Sequence, residues 1–274
     1  MEYNQLEQYL NLTIEASIKA GAAIMEVYGS AFKVQYKVDE SPLTEADQRA
    51  NAVIMQFLET TQVPIISEEN KAIPYDVRKT WTQCWMVDPL DGTKEFVKRN
   101  GEFTVNIALI DEGVPVLGVI YVPVTQVLYF AISSQQKAFK IKLENTDLSV
   151  QDIRSQAIQL KSGADISKVR VVGSRSHMNT DTSNFLKRLQ EVTSVSLEMV
   201  SVGSSLKFCL LAEGAADIYP RFAPTMEWDT AAGQAICSAL DISVVQESSG
   251  VTLRYNKADL LNPYFIAAHE RYLP

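Results

Sequence analysis

The segment WMVDPLDGTKEF places two acids, a glycine and a hydroxyl directly after an apolar run that predicts a buried strand. Asp88 and Asp91 stand three positions apart, and Thr93 follows them. Pro89 fixes one backbone angle and Gly92 permits a tight continuation, so a turn here can direct both carboxylates and an intervening carbonyl at one point. The hydroxyl of Thr93 can orient a water molecule beside them. The residue types therefore favour a site where a cation and a water molecule meet.

Further acids occupy the same kind of position, after a predicted strand or near the start of a predicted helix. They are Glu68 and Glu69 after VPIIS, Asp229 after RFAPTMEW and Asp47 after SPLT. If the strands are neighbours, their carboxyl ends place several carboxylates at one sheet edge, and like charges crowded there need cations between them. Oxygen ligands suit Mg²⁺ or Mn²⁺. Neither His177 nor His269 lies near these acids in sequence, which disfavours zinc. Taken alone, each acid can also be a turn residue or a helix N-cap.

Hydrophobic periodicity predicts the elements that must position these residues. Apolar residues at helical spacing predict one helix over residues 6–28 and another over residues 45–60, with Thr44 as its N-cap. Alternation of residue types predicts an antiparallel meander over residues 103–132. Strands and helices alternate beyond residue 168, which indicates a mixed α/β layer.

We expect two domains, because residues 144–168 are polar and are predicted to be irregular. An N-terminal α+β domain would span residues 1–157 and contain the ISEE and DPLDGT segments. A C-terminal α/β domain would span residues 158–274 and contain the WDTAAG segment. The chain has 274 residues and is 46% hydrophobic, which is enough for a large core in this arrangement.

Charge and composition disfavour several classes of function. The net charge of −8 disfavours binding to a nucleic-acid polymer through a basic surface, whereas local cations or metal ions still allow a small anionic substrate. The chain contains no run of about 18 apolar residues, so we expect no transmembrane helix. The polar N-terminus lacks the features of a signal peptide, and the three cysteines are far apart. These features predict a cytoplasmic protein with reduced cysteines.

Two further segments contain candidate anion-binding residues. The segment VGSSLK puts Gly203, Ser204 and Ser205 at a predicted helix start, where free N–H groups and hydroxyls can hold a phosphate. Lys207 follows one turn later, and an ordinary serine N-cap explains the same pattern equally well. The segment GSRSH follows the predicted strand VRVV and has the same character. Arg221 adds a positive charge at a sheet edge or is simply solvated.

The segments ISEE, WMVDPLDGTKEF and WDTAAG, in this order and spacing, resemble the inositol-monophosphatase-like family of Mg²⁺-dependent, lithium-sensitive phosphatases. The resemblance covers nearly the whole chain, and DPLDGT is a highly specific motif. It implies an α+β or α/β fold, the layered αβαβα sandwich of the inositol monophosphatase/fructose-1,6-bisphosphatase type. Within the family, KEF after the DGT motif and the segment GSSLKFCLLAEG resemble the bisphosphate nucleotidases, whereas simple inositol monophosphatases resemble DGTTNF there.

The resemblance assigns a role to each residue of these motifs. The implied metal ligands are Glu68, Asp88, the carbonyl of Leu90, Asp91 and Asp229, with Asp88 bridging two ions. The implied catalytic residues are Asp47 and Thr93, which would position and activate the attacking water. The implied substrate-binding residues are Gly92, Thr93, His177, Ser204, Lys207 and Arg221. The implied cofactors are two or three Mg²⁺ ions, with Mn²⁺ as a substitute and Li⁺ and Ca²⁺ as inhibitors.

We therefore interpret the protein as a Mg²⁺-dependent 3′(2′),5′-bisphosphate nucleotidase that converts adenosine 3′,5′-bisphosphate to AMP and phosphate. Phosphoadenylyl sulfate is a further expected substrate. An inositol monophosphatase or sugar (bis)phosphatase of the same fold is the alternative, followed by a metal-binding regulatory subunit without catalysis and a purely structural α/β domain. The expected assembly is a monomer or homodimer in the cytoplasm, with peripheral contact to the inner face of the membrane left open.

Overall fold

A computed structural model describes most of the chain, namely residues 3–31, 34–36, 42–145, 147–161, 168–173, 179–193 and 195–273. Its helices are α1 (Tyr3–Tyr28), α2 (Glu45–Leu58), α3 (Tyr75–Arg78), α4 (Thr93–Val97), α5 (Val150–Gln156), α6 (Thr180–Thr193), α7 (Leu206–Ala212) and α8 (Glu227–Ser238). Its first strands are β1 (Val34–Tyr36), β2 (Pro42–Thr44), β3 (Ile65–Ser67), β4 (Gln83–Asp91), β5 (Thr104–Asp111), β6 (Val114–Val122) and β7 (Val127–Ile132). The remaining strands are β8 (Lys137–Lys142), β9 (Ile158–Gln159), β10 (Lys168–Gly173), β11 (Ser196–Ser201), β12 (Ile218–Arg221), β13 (Ile242–Gln246) and β14 (Phe265–His269).

A seven-stranded sheet in the order β3-β4-β5-β6-β7-β8-β9 forms the larger layer. The first pair of strands is parallel and the others are antiparallel, so the predicted meander is confirmed. Successive residues of β4 point to opposite faces. Trp85 and Val87 pack with α1 and α2, whereas Cys84 and Met86 pack with α7 and α8. Both faces of this sheet are therefore buried.

A five-stranded sheet in the order β11-β10-β12-β14-β13 forms the second layer. One of its faces packs against α6 through Phe185 and Leu189. The other face packs against α7 and α8 through residues such as Tyr219 and Phe265. Helices α7 and α8 thus lie between the two sheets, and the layers run α1/α2, large sheet, α7/α8, small sheet, α6. This order confirms the predicted αβαβα sandwich.

The predicted helix starts agree closely with the structure. Helix α2 begins after Thr44, which caps it through a reciprocal pair of hydrogen bonds with Asp47. The segment predicted to be irregular differs, because it contains α5, which is capped by Ser149 and buries Ile153, and β9, which pairs with β8. The predicted domain division after residue 157 stays a prediction, and β9 directly behind it belongs to the larger sheet.

The part of the chain that the structure describes contains no candidate membrane-spanning helix. None of the helices there combines the length and the apolar character that a bilayer span needs. The three cysteines, Cys84, Cys209 and Cys237, are buried and unpaired, as the sequence predicted.

Candidate metal centre and active site

The acidic motif lies at the end of β4, where the ladder with β5 contains one extra residue on β4. Asp88 pairs with Asn106, whereas Asp91 pairs with Thr104. Residues three apart on a regular strand point to opposite faces, but the extra residue returns Asp91 to the face of Asp88. The sequence predicted a separate tight turn here. The structure instead continues the strand through a β-bulge, and the bulge brings the two carboxylates together.

Asp229 joins this pair from the other layer. It occupies the third position of α8, and its Oδ2 accepts a hydrogen bond from the backbone N–H of Met226 at 2.9 Å. Carboxylate oxygens of Asp88, Asp91 and Asp229 all lie within 4.8 Å of one another. A cavity of about 380 Å³ and a second of about 690 Å³ both reach Asp91 and Asp229. The predicted approach of these three acids is therefore present in the geometry.

Backbone donors fix the orientation of each carboxylate. Asp88 Oδ1 accepts a hydrogen bond from the N–H of Leu90 at 3.0 Å. Asp91 Oδ2 accepts from the Ser205 N–H at 2.6 Å and from Ser204 Oγ at 2.7 Å. Each carboxylate thus has one oxygen held by the protein, which leaves the second oxygen of the group for a ligand.

Burial and charge crowding make this cluster electrostatically costly. Burial raises the pKa of Asp88 well above its usual range, and the carboxylates of Glu68, Asp91 and Asp229 raise it further. Burial also raises the pKa of Asp229, with Asp91 as the largest charged contributor. A divalent cation among the oxygens would favour the charged forms, and an all-oxygen donor set suits Mg²⁺. The residues present therefore fit the ion that the sequence implied.

Glu68 and Leu90, the other predicted ligands, line the 690 Å³ cavity together with the three aspartates. Glu68 follows β3, the strand that runs parallel to β4, so the carboxyl ends of both strands meet at this edge. The backbone N–H of Glu68 donates to the carbonyl of Val87 at 3.1 Å, which extends the pairing of the two strands up to the site. The sequence-based placement of Glu68 at the same sheet edge as Asp88 agrees with this geometry.

Thr93 and Asp47 lie next to each other beside the cluster. Thr93 Oγ1 donates to Asp47 Oδ1 at 3.1 Å, and it lies 3.3 Å from the carbonyl oxygen of Leu90. Asp47 Oδ2 accepts from both the N–H and the hydroxyl of Thr44 at 2.7 Å. Asp47 is therefore both a helix-capping residue and the partner of Thr93. Burial raises the pKa of Asp47 despite these hydrogen bonds.

Positively charged side chains line the neighbouring 380 Å³ cavity, which also reaches Gly92 and Tyr219. Lys207 is only 5% exposed, and its Nζ donates to the carbonyl of Ser204 at 2.6 Å and lies 5.4 Å from the centre of the Tyr219 ring. Burial lowers the pKa of Lys207 to about 8. Arg221 Nη2 donates to the carbonyl of Pro224 at 3.1 Å. Its buried Nε has no hydrogen-bond partner among the described residues.

The other predicted substrate-binding residues have different outcomes. Gly92 has φ +95°, and a Cβ there would lie 3.0 Å from the carbonyl oxygen of Glu102, so the position requires glycine. Ser204 lies at the site, but its hydroxyl is bonded to Asp91. His177 lies outside the described residues. Substrate binding by these residues stays a prediction.

Sequence reasoning missed two buried polar residues of β5. Thr104 and Asn106 are 0% and 1% exposed, and they contact the serines that precede α7. A usable signal was present, because FTVNIALI has two polar residues two positions apart in an otherwise apolar strand. Such residues share one face of the strand and need polar partners when they are buried.

Comparison with known proteins gives consistent matches along the chain. The profile of the inositol monophosphatase family matches residues 5–273. The 3′(2′),5′-bisphosphate nucleotidase CysQ of Salmonella typhimurium is 47% identical over 251 residues, which cover 90% of this chain and 94% of the relative. The protein of the same name from Escherichia coli strain K12 is 45% identical over 261 residues, which cover 93% and 98% of the two chains.

Solved structures agree with the sequence matches. The crystal structure of CysQ from Bacteroides thetaiotaomicron, described as a bacterial member of the inositol monophosphatase family, has a TM-score of 0.86 and 46% identity, and the match covers 96% of this chain and 98% of that one. The extragenic suppressor protein suhB from Bartonella henselae has a TM-score of 0.72 at 22% identity, with coverage of 96% and 94%. At that identity the second likeness concerns the fold alone.

Proposed function

This chain belongs to the inositol monophosphatase family, and we propose that its site acts as a metal-dependent 3′(2′),5′-bisphosphate nucleotidase. It hydrolyses adenosine 3′,5′-bisphosphate to AMP and phosphate, and phosphoadenylyl sulfate is a further substrate. One observation supports this choice above the others. The carboxylate cluster and the cavity containing Lys207 and Arg221 lie side by side and share Asp91 and Asp229. A substrate with two phosphates can place one in each.

The carboxylates hold the cofactor. Members of this family are generally metal-dependent, and the acidic cluster is consistent with that property. We assign two or three Mg²⁺ ions to the proposed ligands, which are Glu68, Asp88, the Leu90 carbonyl, Asp91 and Asp229. When bound, Mg²⁺ offsets negative charge on the phosphoryl and leaving oxygens and favours ionisation of a nearby water. Mn²⁺ substitutes, whereas Li⁺ and Ca²⁺ inhibit.

Thr93 and Asp47 handle the proton of the attacking water. Thr93 Oγ1 already donates its proton toward Asp47 Oδ1, so its lone pairs can accept a hydrogen bond from a water molecule. As the water oxygen bonds to phosphorus, the water proton passes to Thr93 Oγ1 and the threonine proton passes to Asp47 Oδ1. The bond between phosphorus and the 3′ oxygen of the nucleotide breaks, and the leaving oxygen takes up a proton from solvent water. Burial makes Asp47 a stronger base than an exposed aspartate, which favours this transfer.

Arg221 and Lys207 bind the phosphate that is not hydrolysed. The buried Nε of Arg221 has no partner among the described residues, and a buried donor of this kind is normally satisfied by a ligand or a water. Lys207 retains donor capacity beyond its bond to the Ser204 carbonyl, because an ammonium group has three N–H donors. Both charges line the 380 Å³ cavity, whereas Glu68 lines the 690 Å³ cavity, and the two cavities share Asp91 and Asp229.

A substrate panel tests the proposal against the alternative phosphatases of the same fold. Phosphate release is measured with adenosine 3′,5′-bisphosphate, inositol 1-phosphate and fructose 1,6-bisphosphate, each with Mg²⁺ and with chelator. We expect kcat/KM for the nucleotide to exceed that for inositol 1-phosphate by about 100-fold or more, because the cations of the second cavity stay unpaired with a monophosphate. Fructose 1,6-bisphosphate has two phosphates, so turnover of this sugar at or above the nucleotide rate would favour the sugar bisphosphatase alternative. Equal or faster turnover of inositol 1-phosphate would contradict the assignment, and turnover in chelator would contradict the metal site.

The remaining sequence-based assignments stay predictions alongside this function. They are the monomeric or homodimeric state, the cytoplasmic location, with peripheral membrane contact left open, and the division into domains 1–157 and 158–274. The complete set of implied ligands disfavours a regulatory subunit without catalysis. Mg²⁺-linked stabilisation would separate either metal-binding case from a purely structural domain.

A further inference from the structure

A buried group of hydroxyls connects β5 with the segment that precedes α7. Thr104 Oγ1 lies 2.7 Å from Ser204 Oγ and 2.7 Å from Ser205 Oγ. Ser204 Oγ in turn lies 2.7 Å from Asp91 Oδ2. The four side chains therefore form a continuous line from Ser205 through Thr104 and Ser204 to the carboxylate, which we call the hydroxyl relay.

The direction of the relay follows from counting protons. The Asp91 carboxylate can only accept, so the single hydroxyl proton of Ser204 points to Asp91. Ser204 Oγ must then accept at its 2.7 Å contact with Thr104, which fixes the proton of Thr104. By the same argument Ser205 donates to Thr104 at 2.7 Å. Every hydroxyl of the relay thus donates toward Asp91.

Asn106 completes the relay at its far end. The structure places its Oδ1 2.8 Å from Ser205 Oγ and 3.1 Å from Thr104 Oγ1, while its buried Nδ2 has no hydrogen-bond partner among the described residues. Because Ser205 donates its hydroxyl proton to Thr104, it cannot also donate to Asn106 Oδ1. A 180° rotation of the Asn106 amide places an N–H donor at this contact instead. Nδ2 can then donate to both Ser205 Oγ and Thr104 Oγ1, and the buried position without a partner among the described residues is occupied by the carbonyl oxygen instead of an N–H donor.

Ser204 also joins the carboxylate to the neighbouring cavity. It adopts φ +54°, a conformation that residues with a Cβ seldom take. In this conformation the next N–H, that of Ser205, donates to Asp91 Oδ2 at 2.6 Å, and the Ser204 carbonyl accepts from Lys207 Nζ at 2.6 Å. The same residue therefore orients a carboxylate of the acidic cluster and a cation of the second cavity.

We propose that the hydroxyl relay positions Asp91 for metal binding, and that the hydroxyls of Ser204 and Thr104 act as positioning groups; for the Ser204 hydroxyl this replaces the substrate-binding role that the resemblance implied. The inference rests on the proposed function in taking Asp91 as a Mg²⁺ ligand. The proton of Ser204 is committed to Asp91, so it is not available to a substrate phosphate. With Oδ2 held by the relay, Oδ1 of Asp91 is the oxygen presented to the ion. Loss of the relay should weaken Mg²⁺ binding more than it weakens nucleotide binding.

Calorimetric titration of the protein with Mg²⁺, without any substrate, tests the relay directly. We expect Ser204→Ala and Thr104→Val to weaken Mg²⁺ affinity about 10- to 100-fold, the usual effect of removing a group that orients a metal ligand. Thr104→Ser keeps the hydroxyl and should restore affinity to within about three-fold of the original value. Ser17→Ala is the matched control, because among the described residues that buried hydroxyl bonds only to the Ile14 carbonyl within α1, and its loss should leave Mg²⁺ affinity unchanged.

Kinetics at saturating Mg²⁺ supply the second readout. Under the proposal, KM for adenosine 3′,5′-bisphosphate changes by less than about three-fold in Ser204→Ala. A raised KM with unchanged Mg²⁺ affinity would make Ser204 a substrate ligand and overturn the proposal. If Ser204→Ala fails to fold, Ser204→Gly tests the same hydroxyl, since glycine adopts φ +54° freely. An unchanged Mg²⁺ affinity in both Ser204→Gly and Thr104→Val would also overturn it.

The outcomes separate this inference from the proposed function. A wild-type protein that binds Mg²⁺ but does not hydrolyse the bisphosphate would refute the nucleotidase assignment, and weakened Mg²⁺ binding in Ser204→Ala would still support the relay. Conversely, normal nucleotidase activity together with unchanged Mg²⁺ affinity in the relay variants would refute the relay alone.

Discussion

Replacement of Thr93 by valine tests the proposed proton transfer with little change in shape. Valine has the size of threonine but no hydroxyl, so the contact with Asp47 Oδ1 at 3.1 Å is lost while the surrounding packing is kept. Asp47 retains both of its hydrogen bonds from Thr44, so the carboxylate should stay in place. The variant therefore removes the group that links the attacking water to its base.

The expected loss is in kcat. A positioned group that takes part in proton transfer typically contributes a factor of about 10²–10⁴ in rate, which corresponds to about 2.7–5.4 kcal/mol of activation free energy. The stability cost should be smaller, about 0.5–1.5 kcal/mol for one hydrogen bond. KM for the nucleotide should change little, because the second cavity that contains Lys207 and Arg221 is not altered.

The assay is phosphate release at saturating Mg²⁺ and saturating nucleotide, normalised to folded protein by circular dichroism. Thr93→Ser is the matched control, because it keeps a hydroxyl at the same position and should retain most of kcat. If folded Thr93→Val turned over at nearly the wild-type rate, Thr93 would be a structural residue at the start of α4, and the proton path through Asp47 would be wrong.

Three further outcomes follow from the site and its packing. Lys207→Ala and Arg221→Ala should each raise KM for adenosine 3′,5′-bisphosphate roughly 10- to 100-fold, since a charge-assisted hydrogen bond contributes about 1.5–3 kcal/mol, and hydrolysis of a small monophosphate should change little. Equal effects on both substrates would place these residues in the common machinery. Because the pKa values of Asp88 and Asp229 are raised, these two groups should favour the folded metal-free protein where both are protonated, and that contribution should be lost as pH rises through their folded-state pKa values. Mg²⁺ should therefore raise Tm more at about pH 7.5 than at about pH 5, and equal shifts would contradict the electrostatic account. A Cβ on Gly118 would lie 2.4 Å from a backbone carbonyl of α8, so Gly118→Ala should cost about 1–3 kcal/mol and weaken Mg²⁺ binding, as calorimetry can show; an unchanged Mg²⁺ affinity would mean that α8 can shift without moving its aspartate.

The sequence contained enough information to place the acids but not to explain how they meet. Strand and helix signals put Glu68, Asp88 and Asp229 at element ends, and the layered fold then brings those ends together. The β-bulge was not predictable from the motif alone. Its extra residue is defined by pairing with β5, and such pairing depends on a partner strand elsewhere in the chain.

Other features that the sequence analysis did not predict also depend on tertiary contacts. Helix α5 is only seven residues long and polar, so its stability depends on a buried Ile153 and on the Ser149 cap, neither of which periodicity detects. Thr104 and Asn106 read as ordinary strand residues because their partners, Ser204 and Ser205, lie about 100 positions away. Local sequence signals were therefore enough to locate the acids, whereas the residues that orient the acids could be identified only from the folded structure.

The β-bulge decides whether the two aspartates of the motif point to the same face of the sheet. Side chains of a strand alternate between two faces, so the number of residues between the two aspartates decides whether they share a face. Asp88 and Asp91 are three positions apart, which is an odd number. One residue between them has no partner on β5, so the two side chains lie on one face, as they would at an even separation. In an unbroken ladder with the present spacing, Asp91 would lie opposite Phe103 and would point away from the face of Asp88. It would then no longer meet the hydroxyl of Ser204 and the N–H of Ser205, which hold its carboxylate. Point substitutions in this motif change the chemistry of single groups, whereas the bulge decides which groups can meet.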